Sequence, residues 1–258
     1  MTDTHTLSIP NSINLRTLAG YKAYDGRIIK ANKILRSGRL SKLSPNEAEL
    51  LATNYKVVTV ADLRTDEEIK REPDVLPQDA AYYQLPVLPF SDHSSFTERL
   101  KRRFAKPEDP TTRMYRKMMT DSHATSAYRD LFNLLLNNTE DNQALLIHCS
   151  AGKDRTGVAM MLIEAALGIP DDTIRRDYLL SNDLLAASGE LNNSEDRSTH
   201  ADSMRTQPAT EENIQAVLNV IHGSYQSWTD YLQRQIGLST TDLAVLKQSY
   251  LLDTNSKN

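Results

Sequence analysis

The sequence of 258 residues contains a single cysteine, Cys149. One cysteine excludes a disulfide within the chain, and it excludes a zinc cluster built from several thiolates of this chain. We therefore expect the protein to work in a reducing compartment, with a cytoplasmic location as the simplest case. A lone cysteine is most often a small buried hydrophobic residue, so the neighbours of Cys149 must decide whether it has a chemical role.

Long hydrophobic runs are also missing. The longest uninterrupted apolar run covers only residues 158–163, whereas a membrane-spanning helix needs about 20 apolar residues. The first ten residues contain neither the basic segment nor the apolar segment of a secretory signal. We expect neither a membrane span nor a signal peptide.

The chain has no excess of positive charge, because 30 Lys and Arg residues stand against 34 Asp and Glu residues, for a formal net charge of −4. This balance argues against a polybasic binder of nucleic acid or of membrane surfaces, and no nucleic-acid partner is expected. The fractions of hydrophobic residues, 39%, and of charged residues, 25%, are those of an ordinary globular protein. We expect one domain over residues 1–258 with a sizeable core.

Alternating helix and strand signals predict an α/β fold with a central, mostly parallel sheet flanked by helices. A capping box formed by Ser44 and Glu47 marks the start of one helix, and continuous apolar or β-branched runs mark the inner strands. Short stretches at 27–29 and 33–38 are expected to form strands at one sheet edge. The other strands are predicted over 57–61, 82–88 and 144–147, and the helices over 45–54, 66–71, 124–137, 156–167, 171–185, 211–235 and 241–252.

Two polar segments interrupt this pattern. Residues 99–106 are basic, and the simplest interpretation is a solvated helix face. Residues 186–212 are rich in Ser, Asn, Asp and Thr, a composition typical of a mobile loop or lid rather than a linker between domains.

The neighbours of Cys149 form a loop of small residues, 148–157, between the apolar strand and an apolar helix. The backbone N–H groups of such a loop and the positive end of the helix dipole together form a cradle for a phosphate dianion. The same field favours the thiolate form of a cysteine, which is the nucleophilic form. Arg155 offers paired donors that match two phosphate oxygens. With Cys149 as the nucleophile, the predicted phosphate-binding residues are Ser150, Ala151, Gly152, Lys153, Asp154 and Arg155.

The pattern His-Cys-x5-Arg-Thr-Gly, placed between a strand and a helix, resembles the phosphate loop of cysteine-dependent phosphatases. In its individual residues the loop is most similar to that of the bacterial tyrosine/serine protein phosphatases, and the resemblance extends over residues 14–252. Five further segments resemble the same family in the same order: 14–16, 36–38, 61–64, 85–92 and 177–182.

This resemblance implies a protein-tyrosine-phosphatase-like fold with a helical or loop lid after the phosphate loop, and a hydrolase that uses no metal and no other cofactor. Cys149 would attack phosphorus while Arg155 stabilises the phosphate oxygens. A carboxylic acid must protonate the leaving group. The resemblance links both Asp154 and Asp92 to the active site, and Asp154 is the first choice. The alternatives are a loop-bracing role for Asp154 and a turn-forming role for Asp92.

Four residues are candidates for supporting roles. His148 is expected to orient the loop through its imidazole. Thr156 either donates a hydrogen bond to the departing sulfur of Cys149 or simply starts the helix. Asp62 and Arg64 end an inner strand, where ligand sites form in open parallel sheets, although a structural ion pair is the slightly favoured interpretation.

Lys153 bears on the substrate, because a cation in the loop either binds additional phosphate groups or balances local charge. Phosphotyrosine is the leading substrate, with phosphoserine or phosphothreonine as additional ones, and a phosphoinositide phosphatase is the alternative. No obligatory protein partner is expected. The rivals are an inactive phosphoprotein-binding module and a sulfur-transfer or arsenate-reducing enzyme, the last of which would be expected to have a second redox cysteine.

Overall fold

The computed structural model describes residues 5–91, 108–191 and 206–252. In this part of the chain, β3, β6, β4 and β5 are neighbours in a parallel sheet, and β1 joins its edge antiparallel to β3. The predicted α/β class with a mostly parallel sheet is therefore confirmed. The strands are β1 (Arg16–Thr17), β2 (Ile28–Ile29), β3 (Ile34–Ser37), β4 (Val57–Asp62), β5 (Ala81–Gln84), β6 (Ala144–His148) and β7 (Leu251–Leu252).

Helices cover both faces of the sheet. Among the described residues, none of them combines the length and the apolar character that a bilayer crossing requires. The helices are α1 (Pro45–Tyr55), α2 (Asp66–Arg71), α3 (Pro110–Thr120), α4 (Ser122–Asn137), α5 (Arg155–Leu167), α6 (Asp171–Ala187), α7 (Glu211–Ser224), α8 (Trp228–Tyr231) and α9 (Thr240–Tyr250), with a π-helical turn at Leu232–Ile236.

Strand β6 is the central strand, and all of its residues are buried. Its side chains alternate between two hydrophobic clusters, since Leu145 and Ile147 pack into the larger cluster with α4 and α5, while Ala144 and Leu146 pack with α1 on the other face. Burial on both faces explains why the strand is continuously apolar instead of alternating. It also fixes the end of β6, and hence Cys149, at the middle of the sheet edge.

Helix α5 follows directly from the Cys149 loop and is buried on nearly every side, with only Ala165 outside the buried set. A helix that is apolar all round belongs in a core rather than on a surface. It ends at Gly168, whose backbone is left-handed with φ of 79°, a conformation that glycine adopts without steric cost. The core thus holds α5 rigidly behind the loop.

The structure corrects the sequence predictions at both chain ends. Residues 27–29 do not belong to the edge of the main sheet, because β2 pairs antiparallel with β7 in a separate two-stranded sheet. The helix predicted over 241–252 ends at Tyr250 for the same reason, since the next two residues form β7. Strand pairing between distant segments leaves no signal in local periodicity.

Inside the chain, two predicted elements differ from the structure and one helix was not predicted. Strand β5 ends at Gln84 rather than continuing to 88, in keeping with the prolines that follow and lack an N–H donor. Helix α3 was missed, although Asp109 caps it by accepting from the backbone N of Thr112 at 2.9 Å. The helix predicted over 211–235 is interrupted between α7 and α8, where the side chain of Ser227 caps the new helix.

Several sequence predictions lie outside the described residues. They are the role of Asp92, the basic segment 99–106 and most of the predicted lid, of which only 186–191 and 206–212 are described. The assignment of residues 1–258 to one domain stays a prediction.

Candidate active site

The Cys149 loop lies at the carboxyl end of β6 and leads into the N-terminus of α5. The side chain of Cys149 is almost fully buried, at 2% exposure, and α5 begins at Arg155. The loop therefore lies at the positive end of a buried helix, and its use as an anion site stays a prediction.

Gly152 allows the loop to lie directly against strand β3. Its φ is +69°, and a Cβ atom added there would lie 2.3 Å from the backbone oxygen of Ser37. The carbonyl oxygen of Gly152 accepts hydrogen bonds from Arg36 Nη2 at 2.7 Å and from Asn14 Nδ2 at 3.1 Å. Only glycine fits this position, because both the conformation and the close approach exclude a side chain.

A buried charged cluster supports the loop from below. Asp177 on α6 accepts from Arg16 Nε at 2.9 Å and also pairs with Arg36 Nη1. Burial raises the pKa of Asp177, but the two guanidinium groups outweigh it and hold the pKa at about 2. Asn14, Arg36 and Asp177 come from three of the segments that resemble the bacterial phosphatases, so these segments meet beneath the Cys149 loop.

Glu68 on α2 fixes the guanidinium of Arg155. Arg155 Nη1 lies 2.6 Å from Glu68 Oε2, and Nη2 lies 2.7 Å from Oε1. The hydroxyl of Ser150 also donates to Oε1 at 2.6 Å. Burial raises the pKa of Glu68, but hydrogen bonds from Arg155 and Ser150 outweigh it, and the net pKa lies well below its ordinary value. Glu68 is therefore a carboxylate that holds the arginine in one plane.

Asp154 supplies the carboxyl group of the loop, and 13% of its side chain is accessible. Its Oδ1 accepts a hydrogen bond from the hydroxyl of Tyr115 on α3 at 2.5 Å. Lys153 Nζ lies 3.6 Å from Asp154 Oδ2 and donates to the backbone oxygen of Gln207. Lys153 is itself 1% exposed, so its ammonium lies beneath the surface of the loop rather than at an open rim.

His148 belongs to a second buried cluster behind the loop. Its Nδ1 lies 3.3 Å from the carbonyl oxygen of Cys149, and its Nε2 lies 3.3 Å from Asp74 Oδ2. Asp62 and Arg64 form a buried ion pair at 2.7 Å, and Arg64 also pairs with Asp74. Burial raises the pKa of Asp62, but His148 and Arg64 lower it by more, and the net pKa is about 2.

This second cluster has the spacing of a metal site, because ligand atoms of Asp62, Asp74 and His148 lie within 4.8 Å of one another. The guanidinium of Arg64, however, already binds both carboxylates. A permanent cation between the carboxylates disfavours a second one, so we assign the cluster a structural role.

Thr156 is fully buried, and its hydroxyl oxygen makes no hydrogen bond within the described residues. A bond from Thr156 to the sulfur of Cys149 as it departs stays a prediction, as does the simpler role of starting α5. Asp92, the second candidate for the proton donor, lies outside the described residues.

Comparison with protein families identifies the chain. A family model described as the tyrosine phosphatase family matches residues 7–252. The chain belongs to the tyrosine phosphatase family. The match includes the loop, the clusters beneath it and the helices on both faces of the sheet.

Curated relatives of this phosphatase family carry matching names. A protein of Cupriavidus necator, provisionally named a tyrosine-protein phosphatase, is 30% identical over 178 residues, which make up 69% of this chain and 63% of that protein. A tyrosine-protein phosphatase of Nostoc commune is 26% identical over 230 residues, covering 85% of this chain and 74% of its own. The triple-specificity protein phosphatase of Mycobacterium tuberculosis is 28% identical over 198 residues, covering 68% of each chain.

Among solved structures, the core catalytic domain of a PP-IP phosphatase from S. cerevisiae aligns with a TM-score of 0.37 and 15% identity. The alignment covers 83% of this chain and 96% of that domain.

The sequence analysis of this phosphatase family member missed three residues of the site: Glu68, Asp74 and Tyr115. Glu68 left one signal, because Thr65 and Glu68 have the spacing of a capping box, and the structure contains it. Asp74 and Tyr115 left none, since their partners in the site come from other elements.

Proposed function

We propose that this protein is a cysteine-dependent phosphatase that hydrolyses phosphotyrosine monoesters through a phosphocysteine intermediate. The observation that carries this proposal is the arrangement of Arg155. Glu68 holds its guanidinium by two hydrogen bonds at the start of the helix that follows the Cys149 loop. A planar, fixed set of donors beside a nucleophile is what a phosphoryl group needs for in-line transfer.

In the first step, the sulfur of Cys149 forms a bond to phosphorus as the bond between phosphorus and the ester oxygen breaks. The guanidinium of Arg155 and the loop N–H groups stabilise the charge on the three other phosphate oxygens. Asp154 gives its proton to the ester oxygen, and the alcohol leaves.

In the second step, a water molecule attacks phosphorus and the bond between sulfur and phosphorus breaks. Asp154 takes a proton from this water, inorganic phosphate leaves, and Cys149 returns to its starting form. Asp154 thus acts first as an acid and then as a base, and no metal ion takes part.

Phosphotyrosine is the leading substrate, supported by the family and by the names of its relatives. The name of the Mycobacterium tuberculosis relative, a triple-specificity phosphatase, supports phosphoserine and phosphothreonine as additional substrates. The alternative, a phosphoinositide phosphatase, needs Lys153 to reach a further phosphate group. The position of Lys153 speaks against it, because the ammonium is buried and donates to Gln207.

The test is a substrate panel of a phosphotyrosyl peptide, a phosphoseryl peptide and a phosphoinositide in reducing buffer, with the Cys149→Ser and Arg155→Lys variants. We expect the phosphotyrosyl peptide to give the highest kcat/KM. Cys149→Ser should lower it by at least about 10³-fold while substrate still binds. Arg155→Lys keeps the charge but loses the paired donors, and should cost about 10²-fold. Substantial turnover by Cys149→Ser would refute the mechanism, and a higher kcat/KM on phosphoinositide would favour the alternative.

A further inference from the structure

A chain of hydrogen bonds ends at Asp154, and its members come from three helices outside the loop. Asn213 Nδ2 on α7 donates to the hydroxyl of Tyr178 on α6 at 2.9 Å. The hydroxyl oxygens of Tyr178 and Tyr115 lie 2.6 Å apart. Tyr115 on α3 donates to Asp154 Oδ1 at 2.5 Å. The chain therefore links the candidate proton donor to side chains that lie far from it in sequence.

The number of protons on each group fixes the direction of these hydrogen bonds. The amide nitrogen of Asn213 can only donate, so the oxygen of Tyr178 accepts there. The single proton of Tyr178 is then available for the oxygen of Tyr115. The single proton of Tyr115 is in turn directed to Asp154 Oδ1, which is an acceptor. Each hydroxyl both accepts one bond and donates one, and every donor points toward Asp154.

The two hydroxyl groups remain donors over the working pH range of an enzyme. Burial raises the pKa of Tyr115 well above its ordinary value and also raises the pKa of Tyr178. The two rings meet edge to face, with centroids 6.2 Å apart, and both side chains are buried. The donor that faces Asp154 is therefore permanent and held in place by packing.

We propose that Tyr115 is the positioning residue of Asp154. Because its hydroxyl occupies Oδ1, the transferable proton of Asp154 resides on Oδ2, and that proton moves from Oδ2 to the ester oxygen as the bond between phosphorus and oxygen breaks. This inference rests on the proposed function, in which Asp154 is the proton donor, and it adds the residue that orients the donor.

The carboxyl group needs such an orienting contact. Asp154 is partly exposed, and Lys153 Nζ lies 3.6 Å from its Oδ2. Without the bond from Tyr115, the carboxyl group is free to rotate and to turn either oxygen toward Lys153. Proton transfer in a phosphatase requires heavy atoms in hydrogen-bond reach, and rotation removes that alignment without removing the acid.

The test compares Tyr115→Phe with the unchanged protein on two aryl phosphates. Phenyl phosphate has a basic leaving group that needs a proton, whereas 2,4-dinitrophenyl phosphate leaves without one. We expect kcat for phenyl phosphate to fall about 10- to 100-fold with little change in KM, and kcat for the dinitrophenyl ester to fall less than about 3-fold. Tyr178→Phe leaves the bond from Tyr115 to Asp154 intact. It should lower kcat for phenyl phosphate by a smaller factor, again with little effect on the dinitrophenyl ester.

Tyr250→Phe is the matched control, because it also removes a buried tyrosine hydroxyl that donates to the backbone, at 2.9 Å from Leu135 O, far from the loop in sequence. It should leave both rates unchanged. In an Asp154→Asn background, Tyr115→Phe should cause no further loss on phenyl phosphate. An equal loss on both esters, or a full additional loss in that background, would overturn the proposal. If instead the unchanged protein hydrolyses neither ester, or Cys149→Ser hydrolyses both, the proposed function itself fails.

Discussion

Glu68 and Arg155 are 87 positions apart in the sequence and form two parallel hydrogen bonds of 2.6 and 2.7 Å. The same carboxylate also closes the capping box of α2, accepting from the backbone N of Thr65 at 3.0 Å. One side chain therefore starts a helix and sets the plane of the guanidinium that is proposed to bind phosphate. This dual use means that the local order of α2 and the geometry of the site depend on one another.

Glu68→Gln should separate these two roles, because glutamine also completes a capping box but carries no charge. Arg155 would then be a buried cation without its partner, and we expect the free energy of unfolding to fall by about 3–5 kcal/mol. Loss of the fixed guanidinium should lower kcat/KM for a phosphotyrosyl peptide by about 10- to 100-fold. Urea unfolding and steady-state kinetics measure the two effects.

The control is Glu67→Gln, which removes the same charge from an exposed position one residue earlier on α2. It should change neither quantity appreciably. Equal effects of the two substitutions would mean that the net charge of α2 matters and that the contact with Arg155 does not.

Gly152→Ala tests the close approach of the loop to β3. The added Cβ would lie 2.3 Å from Ser37 O, so either the loop or the strand must move. We expect phosphate binding to be lost, and stability to fall by about 2–4 kcal/mol from strain and overpacking combined. Isothermal titration with inorganic phosphate and thermal unfolding are the measurements.

Gly189→Ala is the matched control, since Gly189 has a similar φ of +71° but open space around the added atom. It should cost only about 1 kcal/mol and leave phosphate binding intact. If Gly152→Ala behaved in the same way, the loop would not depend on its seat against Ser37.

Asp177→Asn should change how the free energy of unfolding depends on pH in the acid range. The pKa of Asp177 is about 2 in the folded protein against an ordinary 3.8, so its ionised form stabilises the fold above pH 3.8. That contribution is lost as the pH falls from about 4 to about 2. We expect the difference in unfolding free energy between the unchanged protein and Asp177→Asn to be constant above about pH 5 and to narrow by about 2 kcal/mol below it.

Urea unfolding at several pH values measures this difference. Asp183→Asn, an exposed aspartate on the same helix α6, is the control and should give a small difference at every pH. A gap for Asp177→Asn that stayed constant down to pH 2 would show that the carboxylate does not stabilise the fold through its charge.

Lys153→Gln tests the substrate class. Because the ammonium of Lys153 is buried and donates to Gln207, we expect this change to lower kcat/KM for a phosphotyrosyl peptide and for a phosphoinositide by the same factor. The ratio of the two values is therefore the measurement. A loss confined to the phosphoinositide would show that Lys153 binds an additional phosphate group, and it would favour the lipid phosphatase. Lys42→Gln, at an exposed ammonium that pairs with Glu190, is the control.

The loop from Cys149 to Arg155 could be predicted from the sequence because its residues are contiguous and its chemistry depends on their spacing. The partners of the loop could not, because Glu68 and Tyr115 reach it across 87 and 39 positions. Periodicity shows which face of a helix is buried, but not which buried polar groups face one another. The capping box of α2 could be found in the sequence, but the role of Glu68 in that box gave no reason to expect that Glu68 also holds Arg155.

The same reasoning applies to the fold. The inner strand β6 was predicted because burial on both faces makes it continuously apolar, and β4 was predicted from its β-branched run. The pairing of β2 with β7 was not, since strand partners at opposite ends of the chain leave no local pattern. Local signals therefore define the elements, and tertiary contacts decide how they are joined.

The contacts that shape the loop are long-range in a strict sense. Asn14 and Arg36 reach Gly152 across 138 and 116 positions, and the contacts from α2 and α3 add two more distant segments. Contacts of such high sequence separation require large loops to close before they form, which slows folding. The contacts that hold the Cys149 loop in its folded shape consequently form only when distant segments of the chain have come together. On the proposed function, phosphate binding therefore reports completion of folding.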